Sequence, residues 1–297
     1  MEYVFALAAA LLFAAASVLQ QRAASEAPGD RRVRVGLLWH LVRRPMWLLG
    51  YGADWVAFGL QAAALATGSL LVVQPLLVTG LLFALPFAAA WSGYRLGAHD
   101  WIAAATLCAG LAVFLLLGSP TGGVERAPFA DWLVWGGLVA VVGGACIVVS
   151  FRAHGAFRAA ALALATGVCY GLTAALTKSS VDLLTHGVVP LFTHWEVYGL
   201  VAFASAGMVV NQTAFQAGEL AASLPTLTIA EPIVAAVIGV TILKEELGAH
   251  GILDWSLIVC SVAAMVYGVV VLAVRSAQVS KPDSPVRVDV PAAKPLP

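Results

Sequence analysis

Nine separate runs of apolar residues, each about as long as a bilayer is thick, constrain this chain more than any motif in it. A helix needs roughly 20 apolar residues to cross, with about 17 to 25 tolerated. The runs cover 3–20, 46–66, 69–92, 101–118, 131–149, 159–178, 195–213, 220–242 and 254–274. In hydrocarbon only helices and closed barrels satisfy the backbone, and runs of this length specify helices. The expected fold class is all-α, a polytopic membrane protein with nine transmembrane helices. Only Thr67 and Gly68 separate the second and third runs, so a tight turn is expected there. Composition agrees, because 11% of residues are charged where an ordinary soluble domain has about 25%. The basic and acidic residues cancel to a net charge of +0, which argues against a nucleic-acid partner.

The basic residues orient the spans. With the N-terminus outside, the inner segments hold Arg22, Arg31, Arg32, Arg34, Arg43, Arg44, Arg95, Arg152, Arg158, Arg275, Lys281, Arg287 and Lys294. Only Arg126, Lys178 and Lys244 remain outside. That bias predicts a multi-pass protein of the cell (inner) membrane, N-terminus out and C-terminus cytoplasmic. The first run lacks a basic n-region, so it reads as a retained span rather than a signal peptide. Segment 21–45 has room for a short surface helix near Leu37–Val42, and the proline-rich tail 276–297 is expected to be disordered. Trp47, Trp91, Trp101, Trp132, Trp195 and Trp255 fall near span ends, as interfacial aromatics do. Cys108, Cys146, Cys169 and Cys260 all lie in apolar runs with no zinc or disulfide spacing.

Shifted by 151 residues, 61–99 aligns with 212–250 without a gap, and Leu96-Gly97-Ala98-His99 falls on Leu247-Gly248-Ala249-His250. The repeat pairs spans 1–4 (residues 1–118) with spans 6–9 (159–275). Span 5 (131–149) is unpaired and reverses the second half. Two inverted four-helix repeats joined by an unpaired fifth helix are typical of secondary transporters, with a site near the midplane.

Two acids lie deep in these spans, Asp54 in the second and Glu231 in the eighth. A carboxylate at the bilayer centre costs roughly 2.5–3.5 kcal/mol on insertion scales, so it normally faces a bundle interior or a water-filled cavity. Gln61, seven residues after Asp54, shares its helical face. Gln74, Asn211 and Gln212 add amides, and Tyr170, Thr173 and Thr177 line one side of span 6. Candidate solute or coupling-ion residues are therefore Asp54, Glu231, Gln61, Gln212, Asn211 and Tyr170. Pro75 and Pro86 in span 3 match Pro225 and Pro232 in span 8 as candidate helix breaks. The cluster Lys244-Glu245-Glu246 reads as a solvated span end. There is no phosphate loop, nucleophile elbow or zinc-protease motif, so neither an enzyme nor a cofactor is expected.

The stretch Asn211–Leu247, NQTAFQAGELAASLPTLTIAEPIVAAVIGVTILKEEL, and its echo Leu60–Val78, LQAAALATGSLLVVQPLLV, resemble the drug/metabolite transporter superfamily, EamA-like. The shared pattern is an alanine-rich span end, a short turn, a proline-bearing span and a Lys-Glu end. The usual superfamily layout has ten helices. Nine is similar to the NIPA-type magnesium-transporter branch, as are Pro45-Met46-Trp47 before span 2, the lone fifth span, and Asp54 where that branch carries glutamate. The resemblance implies a secondary-active transporter of a small solute, working by alternating access with a proton as candidate coupling ion. The partners implied are membrane lipid and a metabolite, drug-like compound or cation. A divalent-cation permease, with Asp54 as a metal ligand, is the alternative within transport. A non-transporting membrane scaffold subunit is the alternative from another class.

Overall fold

The computed structural model describes residues 1–25, 43–92, 95–216 and 220–279. The expected surface helix at Leu37–Val42 and the tail beyond Val279 lie outside the described residues. Within them the chain forms eleven helices: α1 (Glu2–Ser25), α2 (Pro45–Leu65), α3 (Leu70–Val78), α4 (Gly80–Ser92), α5 (Ala98–Gly118), α6 (Phe129–Arg152), α7 (Gly155–Thr185), α8 (Val189–Thr193), α9 (Trp195–Gln216), α10 (Leu220–Thr241) and α11 (Ile252–Val279). The β-structure among them is one isolated bridge between Thr121 and Glu246.

Local chemistry starts these helices where the apolar runs begin. Pro45 opens α2, a position where its missing N–H costs nothing. The Ser69 hydroxyl accepts from the Val72 N–H at 3.2 Å and caps α3. Asp100 in the first turn of α5 accepts from the Gly97 N–H at 2.9 Å, and Asp254 of α11 does the same for His250 at 2.9 Å.

Eight stretches are long and apolar enough to cross a membrane, one of them Leu70–Ala90, which joins α3 and α4. The chain is thus an all-helical protein built for lipid. The second expected span is present as α2, 21 residues long like α5, but Asp54 and Gln61 lower its apolarity. Exposed Leu133, Val134, Val141 and Val148 on α6, and Val259 and Val262 on α11, present aliphatic surface of the kind acyl chains cover.

The third run splits at Thr79, whose hydroxyl donates to the Leu76 carbonyl at 2.6 Å. The matched interruption in span 8 is absent, because α10 runs unbroken through Pro225 and Pro232. A proline removes one N–H and frees one carbonyl, which neighbouring helices make tolerable in a membrane bundle. Pro75 and Pro86 likewise sit inside α3 and α4 rather than at the break.

Packing follows paired rules in the two halves. α1 lies along α2 as α7 lies along α9, and α1 touches α9 as α7 touches α2. Across the middle, α3 meets α10 and α5 meets α11, while α6 packs on α7.

Candidate functional site

Helical periodicity turns both acids inward. Asp54 shares the face of Trp47, Gly50, Ala57 and Gln61, all buried, and opposes the exposed Gly52 and Val56. Glu231 opposes Ile233, Val237 and Val240, which are exposed on α10. The two carboxylates come from different halves and lie within Coulombic reach of each other. Tyr170 of α7 interacts with both, and the Asn211 side chain of α9 lies beside its hydroxyl. Asp54, Tyr170, Asn211 and Glu231 are each only half-buried, although helices surround them. The Asn211 Oδ1 atom is buried with no hydrogen-bond partner. An orphaned buried acceptor next to the Tyr170 hydroxyl is a place where a water or another donor fits.

A chain of hydrogen bonds holds Asp54 from behind. Gln20 Nε2 donates to Asp54 Oδ2 at 2.9 Å, Gln212 Nε2 donates to Gln20 Oε1 at 2.7 Å, and Trp47 Nε1 donates to Gln212 Oε1 at 3.4 Å. Every donor points toward the carboxylate, which is the sense that favours a charged acceptor at the end. The chain ties α1, α2 and α9 together and so crosses between the halves. Of the candidates from sequence, Gln212 enters this chain, while Gln61 is buried two turns along α2 from Asp54 and is not part of it. Gln20 escaped the sequence reading because it closes the first span, where a polar residue looks like a solvated end. Trp47 was expected at the interface. It is 2% exposed instead, because its indole N–H has a partner inside. Trp132, also expected there, is buried between α6 and its neighbours and meets Trp195 edge-on at 5.9 Å.

Glu231 is placed by glycines. A Cβ on Gly167 would stand 2.6 Å from Ala230 Cβ, and one on Gly171 would stand 2.8 Å from the Glu231 carbonyl oxygen. Only glycine lets α7 approach α10 that closely. Gly167-Val168-Cys169-Tyr170-Gly171 is a small-xxx-small pattern of the kind that joins membrane helices, and it was legible in the sequence. Tyr170, between the two glycines, lays its ring on α9 instead, where a Cβ on Gly207 would stand 2.6 Å from Tyr170 Cε1.

At the end of the bundle that carries the 66–69 and 242–251 connections, the structure overturns the expected solvated charges. Lys178 and Glu245 form an ion pair at 2.8 Å, with side chains 2% and 0% exposed. The Glu245 oxygens also accept from the Leu70 N–H at 2.8 Å and the Leu71 N–H at 3.0 Å, the first turn of α3. Lys178, expected at the outer end of the sixth span, lies inside α7, which continues past it to Thr185. Lys244 adopts a left-handed φ of 56°, which turns the chain so that Glu245 folds back on the bundle. Gly239 leaves the space, since a Cβ there would be 2.8 Å from Glu245 Oε2. Lys244 and Glu246 remain exposed, as expected of a span end.

Among the described residues no group of three or more His, Cys, Asp or Glu is gathered for a metal. No family model matches the chain, and no solved structure is similar to it. It is similar to the Uncharacterized protein Cgl0250/cg0304 of Corynebacterium glutamicum, at 39% identity over 266 residues. That alignment covers 88% of this chain and 90% of the relative, so the chain belongs to the family of that Corynebacterium protein.

Proposed function

We propose that the protein is a secondary-active transporter that moves a small solute across the inner membrane by alternating access. The observation that carries this reading is the inward-facing pair Asp54 and Glu231, contributed by α2 and α10 and within Coulombic reach of each other. Two carboxylates in a lipid-embedded bundle are costly unless they do work on a cation or a proton. The site's exposed groups are mostly oxygen acceptors, which suits a cationic or hydrogen-bond-donating solute, with the proton as coupling ion.

In this reading α2, the second span, brings the number of spans to nine, α6 is the unpaired fifth, and the two halves are inverted repeats. The reciprocal contacts α1–α9 and α7–α2 support that arrangement, as do the contacts α3–α10 and α5–α11 across it. The resemblance to EamA-like transporters points the same way. The N-terminus lies outside and the C-terminus in the cytoplasm.

The test is uptake into proteoliposomes, with and without an imposed pH gradient. The panel holds organic cations, amino acids, neutral metabolites and magnesium. The expected outcome is gradient-dependent uptake of one solute class. Magnesium uptake would select the divalent-cation permease, and a silent panel with or without the gradient would favour the scaffold reading.

A further inference from the structure

The Lys178–Glu245 pair is built more heavily than packing requires, and its connections are unequal in a way that suggests a role. Lys178 on α7 and Glu245 after α10 belong to the same half of the chain, whereas Leu70 and Leu71 on α3 belong to the other. Glu245 is therefore a clasp between halves. Its oxygens are taken by two backbone N–H groups and one ammonium, so it is not a vacant ligand site.

The surrounding backbone is fastened as well. Thr121 and Glu246 exchange hydrogen bonds at 3.0 and 3.3 Å, the Val124 N–H reaches the Leu243 carbonyl at 2.6 Å, and the Gly248 N–H reaches the Gly118 carbonyl at 2.7 Å. From Tyr170 toward this end, α7 presents Thr173 and then Thr177, both buried, with their hydroxyls bonded to their own helix. Between Tyr170 and this end, Thr173 and Thr177 are thus out of reach of water.

We propose that Lys178 and Glu245 are the gate at this end of the pathway, and that it opens by releasing Glu245 from the α3 N-terminus. The proposal rests on the transport reading above. A buried carboxylate stripped of every partner would be prohibitively costly. Lys178 prevents that, because it travels with Glu245 and keeps it neutralised when α3 moves away. The positive end of α3 then pulls the clasp shut again. Lys178 is thus the permanent partner and α3 the exchangeable one.

The test is cysteine access. In a background with Cys108, Cys146, Cys169 and Cys260 replaced by alanine, Thr173→Cys reports water reaching the pathway beneath the gate. A charged, impermeant thiol reagent is applied to intact cells and to inverted vesicles, so that one preparation meets the Lys178 end. Glu245→Gln should raise the labelling rate from that side at least about tenfold, since it removes one partner of a buried ion pair. Lys178→Met should lower it below the wild-type rate, because Glu245 keeps its bonds to α3 and its release would leave a carboxylate with no partner. An unchanged rate in monodisperse Glu245→Gln overturns the proposal.

Hydrogen exchange on the unmodified chain tests it without any variant. The Leu70 and Leu71 amides should exchange together with those of Thr121 and Glu246, through an opening easier than global unfolding. Exchange only when the whole bundle unfolds would make Glu245 a fixed cap and overturn the gate. Labelling needs no solute, so a silent flux panel with the labelling increase intact counts against transport and not against the gate. Measurable flux with unchanged labelling counts against the gate alone.

Discussion

Gln20 is the residue whose loss should be felt first. Its amide gives one bond to a carboxylate and takes one from Gln212, both at ordinary hydrogen-bond lengths. Gln20→Leu leaves Asp54 without that donor and Gln212 without its acceptor, at an expected cost of about 2 kcal/mol, because a bond to a charged group is involved. Trp47→Phe breaks only a long neutral bond of 3.4 Å and should cost under about 1 kcal/mol, in line with interhelical bonds in membranes. Thermal unfolding of the two variants in detergent checks the order, and an equal or reversed order would contradict the chain as drawn. At this scale the sequence shows the acids but not their holders. Asp54 and Glu231 stand out because lipid makes any mid-span charge conspicuous. Gln20, Lys178 and Glu245 sit at the ends of runs, where a polar residue is ordinarily solvated. Their burial comes from contacts across 34 to 192 positions of sequence, which no local pattern encodes.

The contact of α7 with α10 depends on having no side chain at two positions. Gly171→Val would drive a branched side chain into Val234 and the Glu231 carbonyl. Overpacking of this kind costs typically about 1–3 kcal/mol. The predicted outcome is a lower melting temperature, as α10 is pushed away from α7. Gly144 on α6, with open space beside it, should tolerate alanine with no such loss, and parallel unfolding of both variants tests the contrast. Apolar periodicity predicts the helices themselves well, since each expected run corresponds to a helix or, at 69–92, to the pair α3 and α4. Their ends shift where chemistry unrelated to hydropathy acts. α7 runs on through Lys178 to Thr185, because nothing between them breaks a helix and Glu245 neutralises the lysine. The prolines of α10 looked like break points, yet a bundle that supplies other contacts absorbs them.

For the whole molecule, the basic residues predict an orientation that is open to direct measurement. Glu125 and His154 are both exposed and lie in connections flanking α6. Cysteine placed at Glu125 should react with an impermeant reagent added to intact cells, and cysteine at His154 should not. The opposite pattern would invert the topology. The inverted repeat is a proposal that begins from a 39-position echo in the sequence, and the helix contacts α1–α2 and α7–α9 are what the structure adds beside it. What the echo does not reveal is how the site departs from symmetry. Asp54 and Glu231 occupy non-equivalent positions of the two halves and meet only because α2 and α10 both pack on α7.

The central claim is that these two carboxylates move a solute, and Glu231→Gln addresses it most directly. The change keeps the side chain's shape and its contact with α7 but removes the charge. Uptake of the solute identified by the panel is measured in proteoliposomes holding equal amounts of monodisperse wild-type or variant protein, with and without a pH gradient. The account predicts that the variant loses at least about 90% of gradient-driven uptake, a tenfold effect that corresponds to about 1.4 kcal/mol in the step that uses the carboxylate. Uptake equal to wild type, with the same response to the gradient, would show that Glu231 only packs the bundle and would contradict the account.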